Sequence, residues 1–126
     1  MILVTGANGR LGKKIVQELE AIRTPLRLMV RNKQAVTERE NVEVVEGDYR
    51  HPDSLNAAFT GIDRAFLVSL HEKPLERAKL HRNAFVAAAK AGVHYVVYSS
   101  FQGAAADATF SMAKDHHQSE QYLGHF

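Results

Sequence analysis

A doubly wound parallel α/β sheet of about five strands, in the order 3-2-1-4-5, is predicted by three features of this sequence. Short β-rich apolar runs alternate five times with longer helical stretches, the signature of a parallel sheet with helices on both faces. Right-handed crossovers turn that alternation into a doubly wound sheet. The 126 residues also fit one domain and no second full one.

The elements follow in order. Ile2 to Thr5 is a short strand ending at a glycine turn. Leu11, Ile15, Leu19 and Ile22 recur at helical spacing, which predicts one buried face. Leu26 to Val30 is a second strand, a short helix is expected within Ala35 to Glu40, and Val42, Val44 and Val45 mark a third strand. Pro52 suits a first helical turn, and Leu55, Ala58 and Phe59 continue that helix toward Gly61. A fourth strand lies within Arg64 to Ser69, followed by an Ala-rich helix from about Pro74 to Ala91 that Gly92 stops. Tyr95 to Tyr98 is the fifth strand, and a last helix is expected from about Ser111 to Leu123. A larger sheet needs more chain than follows Ser100, so the domain reads as truncated at its C-terminal edge.

Composition removes several function classes. Sixteen Lys+Arg face 14 Asp+Glu, a formal net charge of +2, with no block of like charge, so nucleic-acid or membrane-surface binding has no electrostatic argument. The absence of Cys excludes a disulfide framework, a thiolate zinc site and a cysteine nucleophile. The N-terminus lacks the pattern of a secretory leader. The apolar runs stop far short of the roughly 20 residues of a bilayer span. A soluble, cytoplasmic chain is the expectation.

The chemistry concentrates at the first turn, Thr5-Gly6-Ala7-Asn8-Gly9-Arg10-Leu11-Gly12. Gly6 permits the tight turn off the strand, Gly9 admits close approach of a pyrophosphate, and Gly12 lets helix and strand pack closely. Backbone N–H groups and the positive end of the helix dipole then meet the phosphates. A glycine triplet alone is weak evidence; between a strand and a helix it points to a Rossmann-type dinucleotide site, a purely structural glycine turn being the other reading. The candidate contacts here are Gly6, Asn8, Gly9, Arg10, Leu11 and Gly12.

An NAD-preferring site places an acid about 20 residues beyond the glycines for the ribose 2′-hydroxyl. The second strand instead ends Val30-Arg31-Asn32-Lys33, with no Asp or Glu from Ala21 to Thr37. A guanidinium forms a forked pair with a 2′-phosphate that an acid would repel. Arg31 therefore reads as the NADP-selecting residue, with Lys33 in support and Arg10 as a weaker candidate; an ordinary solvated loop is the other reading. NADP(H) is the preferred cofactor, with NAD(H) as the alternative. Ligands of such sheets sit outside the carboxyl ends of the strands, which adds Leu67, Val68, Ser69, Ser99 and Ser100.

The GxxGxxG spacing resembles the extended and atypical short-chain dehydrogenase/reductase superfamily. Val30-Arg31-Asn32, Gly47-Asp48-Tyr49, His81-Arg82-Asn83, the run Ala87 to Val93 and Tyr98-Ser99-Ser100 are similar to the NmrA-like group. Within that group the likeness is greatest to the NAD(P)H:quinone oxidoreductase and azo- or triphenylmethane-dye reductase branch, and Ala113 to Glu120 extends it. The resemblance implies that Asp48 meets the adenine amino group, with Tyr49 beside that ring. It also implies an NADPH-dependent reductase of quinones or azo compounds, with residues 1–126 as the cofactor domain and the substrate lobe outside them. A redox-sensing regulator that binds dinucleotide without turnover is the competing reading, and only under it is a nucleic-acid partner expected.

Alcohol-oxidising short-chain dehydrogenases use a Tyr four residues before a Lys, the lysine lowering the phenol pKa. Four residues beyond tyrosines 49, 95, 98 and 122 stand Asp53, Ser99, Gln102 and Phe126, none of them Lys. Phe110 to Lys114 keeps the spacing without the phenol. Lys114 and His116 are the weak catalytic candidates. Adjacent His116 and His117 point about 100° apart on a helix. No metal site is expected, and the histidines read as surface residues.

Overall fold

In a computed structural model of the chain, residues 1–68 and 76–99 are described. They form a parallel sheet of β1 (Ile2–Thr5), β2 (Leu26–Val30), β3 (Val42–Glu46), β4 (Arg64–Leu67) and β5 (Tyr95–Tyr98), with helices α1 (Arg10–Ala21), α2 (Pro52–Phe59) and α3 (Glu76–Ala91) between them. The strand order is β3-β2-β1-β4-β5, as expected for a Rossmann-type doubly wound sheet. β1 pairs with β2 and β4, placing the switch in winding direction at its carboxyl end.

Strand alternation sends side chains to two cores. Leu3, Met29, Ala65 and Leu67 face α2 and α3, where Leu55, Phe59, Ala84, Phe85 and Ala88 meet them. Val4, Leu26, Leu28, Val30, Val42 and Val44 pack with Val16 of α1 on the opposite face. Arg27 crosses from β2 to the end of α2, pairing through Nε with Glu43 and donating to the carbonyls of Ala58 and Thr60 at 2.8 and 2.6 Å. A cation there serves carbonyls that helix geometry leaves unpaired.

Two expectations are corrected. The buried stripe of α1 centres on Gly12 and Val16, flanked by half-buried Ile15 and Leu19, while Leu11 and Ile22 are 45% and 69% exposed. The reason is local. α1 turns Gly12 inward against the first turn, and Ile22 stands at its C-cap. The short helix expected within Ala35 to Glu40 is instead a 3₁₀ turn at Lys33–Ala35, where the Asn32 side chain accepts the Gln34 N–H at 3.0 Å. Arg39 and Val42 then exchange backbone bonds of 3.1 and 2.9 Å, which draws the following residues into a tight turn. The Arg39 guanidinium grips Glu20 of α1 and holds its carboxyl below the usual range.

The helix expected over Ser111 to Leu123 lies outside the described residues, as does Pro74. Among the described residues no helix is long and apolar enough to cross a membrane.

Candidate functional site

Because all five strands are parallel, their carboxyl ends share one edge, and the expected site residues collect there. Gly6 follows β1, Arg31 follows β2, Gly47 and Asp48 follow β3, Val68 follows β4 and Ser99 follows β5. Asn8, Arg10 and Arg31 are exposed, as are Lys33 and Gly9.

The first turn is built by close backbone approach. Gly6 has φ +57°, a left-handed conformation that side chains disfavour. Gly9 N–H donates to the Gly6 carbonyl at 3.0 Å, closing the turn. A Cβ on Gly12 would lie 2.0 Å from that same oxygen, so α1 starts against the turn only because Gly12 has none. Lys13 N–H donates to the Gly9 carbonyl at 2.9 Å; the N–H groups before it in the first turn lie ahead of the helical ladder. No acidic side chain sits in that turn and the N-cap lacks a side-chain bond. The result is an exposed cradle of donors at a helix's positive end, fitted to a phosphate.

Beneath it lies a closed ring of hydrogen bonds that joins β1, β4 and the segment after β3. Val68 N–H donates to Thr5 Oγ1 at 2.9 Å, and Tyr49 Oη donates to the Val68 carbonyl at 3.3 Å. With the phenol proton so used, the 2.7 Å contact between Thr5 and Tyr49 is a bond donated by the threonine hydroxyl. Burial pushes the Tyr49 phenol well above its ordinary range, the Thr5 bond opposing the shift, so it stays protonated. Asn83 Nδ2 fixes the Tyr49 carbonyl from α3 at 2.8 Å. Tyr49 thus differs from the expectation of a ring beside adenine: it is 4% exposed and supports the edge from within. Leu67 is likewise core, 1% exposed, its carbonyl taking the Ser99 N–H at 3.1 Å.

The ring has a measurable worth. Tyr49→Phe removes one donor and should cost about 1–2 kcal/mol. Thr5→Val should cost more, because it leaves the Val68 N–H without an acceptor, whereas Tyr49→Phe leaves a carbonyl, which tolerates the loss better. Urea denaturation of both variants checks this, and equal costs would refute the larger role of Thr5.

Asp48 lies half-buried after Gly47, and its N–H donates to Ser54 Oγ at 3.0 Å. Its Oδ1 accepts the Arg50 N–H at 2.9 Å, and Oδ2 has no partner among the described residues. Lys33 Nζ is drawn to Glu38 at 3.6 Å, whereas Arg31 forms no ion pair among the described residues. Ser69, Ser100, Lys114 and His116 lie outside the described residues.

His81 departs from the expectation of surface histidines. It is 2% exposed, edge-on to Tyr49 at 6.0 Å and to Tyr98 at 5.2 Å, with Nδ1 3.1 Å from the Tyr98 hydroxyl. The signal was legible: Ala78, His81, Phe85 and Ala88 follow helical spacing on the buried face of α3. Thr5 and Asn83 carried no such signal, since their partners lie 34 to 63 residues away.

A family model described as NAD(P)H-binding matches residues 6–125. The chain is 35% identical to the NAD(P)H azoreductase of Xenophilus azovorans, over 90% of this chain and 40% of that one. It is 31% identical to quinone oxidoreductase 2 of Escherichia coli (strain K12), over 98% and 44%. The structure of Citrobacter sp. triphenylmethane reductase complexed with NADP(H) superposes with a TM-score of 0.90 at 32% identity, over 98% of this chain and 45% of that one. The chain thus spans less than half the length of these relatives. The expected likeness to quinone and dye reductases is among these matches. With the glycine cradle, the open helix end and the doubly wound sheet in place, the chain belongs to the NAD(P)H-binding family.

Proposed function

We propose that the chain is the dinucleotide-binding domain of an NADPH-dependent reductase, acting by hydride transfer on quinones or related electron-poor acceptors such as azo compounds. The observation that carries the cofactor assignment is the cradle at Gly6, Gly9 and Gly12, which a Cβ at Gly12 would destroy. The acceptor class is supported by the azoreductase and quinone oxidoreductase relatives. On this reading residues 1–126 form the cofactor domain, and the substrate lobe lies outside them. A cytoplasmic setting fits the absence of Cys.

When bound, a dihydronicotinamide supplies the hydride. The chain's own task is to bind and orient it. The N–H groups of Arg10 to Gly12 in the first turn of α1 would hold the pyrophosphate, Arg31 the adenosine 2′-phosphate and Asp48 Oδ2 the adenine amino group. Val68 and Ser99 shape the far side of the edge, which the Thr5–Tyr49 ring keeps rigid. Among the described residues no tyrosine acts as an alcohol-oxidising base. Tyr49 is buried and protonated, Tyr98 is bonded to His81, and Tyr95 stands at the opposite, amino end of β5.

The test follows NADPH oxidation by the intact protein against a panel of quinones, beside NADP reduction with secondary alcohols. Quinone-dependent oxidation without alcohol turnover is expected. Robust alcohol oxidation would refute the assignment, and tight NADPH binding with no acceptor turnover would move it to a redox sensor.

A further inference from the structure

Selectivity between the two dinucleotides depends on what surrounds the adenosine 2′ position. A carboxylate receives a hydroxyl, and a guanidinium receives a phosphate. Along the sequence, the segment leaving β2 offers only cations, Arg31 and Lys33. Tertiary structure adds an acid from another strand. β3 runs beside β2 with Glu46 opposite Val30, so the last residues of the two strands are neighbours. Gly47 N–H donates to the Val30 carbonyl at 3.0 Å, which ties the two ends together one residue further on. From there the exposed Glu46 side chain turns toward the loop, and its Oε2 accepts the backbone N–H of Lys33 at 3.3 Å. The carboxylate therefore stands at the turn that follows Arg31.

The Lys33 ammonium is committed to Glu38 at 3.6 Å, and among the described residues Glu46 forms no ion pair. The other acid of β3, Glu43, is paired with Arg27. One guanidinium and one carboxylate, neither of them ion-paired among the described residues, thus flank the same turn.

We propose that Glu46 is a specificity-determining residue of the dinucleotide site, opposing Arg31. Its carboxylate offers an acceptor to the ribose 2′-hydroxyl of NADH and repels the 2′-phosphate of NADPH. The chain accordingly prefers NADPH by a smaller margin than Arg31 alone would give. This rests on the proposed position of the adenosine 2′ group beside Arg31.

Glu46→Gln tests it, because the amide keeps an acceptor for Lys33 N–H and removes only the charge. Dissociation constants for NADPH and NADH are measured by calorimetry on this chain, for wild type, Glu46→Gln and Arg31→Ser. Repulsion between a carboxylate and a phosphate dianion across several ångströms of solvent is worth about fivefold. Glu46→Gln should therefore shift the NADPH-over-NADH preference upward by about fivefold or more, with a smaller gain at high salt. Melting temperatures should stay within about 2 °C of wild type, as for exposed substitutions. An unchanged preference in Glu46→Gln, with Arg31→Ser still weakening NADPH, would overturn the role of Glu46 and leave the site standing. Unchanged NADPH affinity in Arg31→Ser would overturn both.

Discussion

Gly12→Ala should cost more than about 3 kcal/mol of stability, the upper end of what overpacking does. The added methyl would lie 2.0 Å from the Gly6 carbonyl oxygen, 2.8 Å from its carbon and 2.9 Å from Ala7 Cα. All three are backbone atoms, so no rotamer change relieves the overlap. α1 must move away from β1, opening the core around Val4, Ala7 and Val16. The expected fall in melting temperature is about 10 °C or more. A thermal melt of Gly12→Ala within a few degrees of wild type would refute the close-packing role.

Gly9→Val should do the reverse, abolishing dinucleotide binding while the fold persists. Gly9 has φ −82° and ψ 176°, an extended conformation that a β-branched residue adopts without strain. A Cβ there meets one atom, the Gly6 carbonyl oxygen, at 3.3 Å, a contact relieved by a few tenths of an ångström. The folding cost is that of a poor N-cap, about 1 kcal/mol. The valine methyls stand where the cradle opens to solvent, in the space a pyrophosphate would take. Loss of at least about 100-fold in NADPH affinity, or about 2.7 kcal/mol, is expected by calorimetry. Retained affinity in a folded Gly9→Val protein would refute the cradle as the binding site. Together the two glycines separate support from contact: one variant loses stability, the other the ligand.

Much of this molecule was legible along the chain. Each described strand coincides with a short apolar-rich run, and the sheet order follows from alternation and crossover handedness. The glycine spacing marked the cradle because glycine is required there by backbone geometry, which is local. Helix ends were also local: Pro52 opens α2 and Gly92 follows α3. Where a nearby bond overrode pattern, reading failed. The Asn32 cap set a 3₁₀ turn ahead of the expected helix, and the inward turn of Gly12 moved the buried stripe of α1.

The sequence by itself determined the fold class, the dinucleotide cradle and the cationic turn after β2, since each depends on residues within one strand–turn–helix unit. Tertiary structure alone decided how the edge is held and charged. Tyr49 became a buried strut because Thr5 and Val68, distant in sequence, end adjacent strands at its hydroxyl. Glu46 reached the Arg31 turn because parallel register sets it beside Val30. The physical reason is common to both. Hydrogen bonds and charges act over a few ångströms of space, and only the packed sheet brings those residues that close.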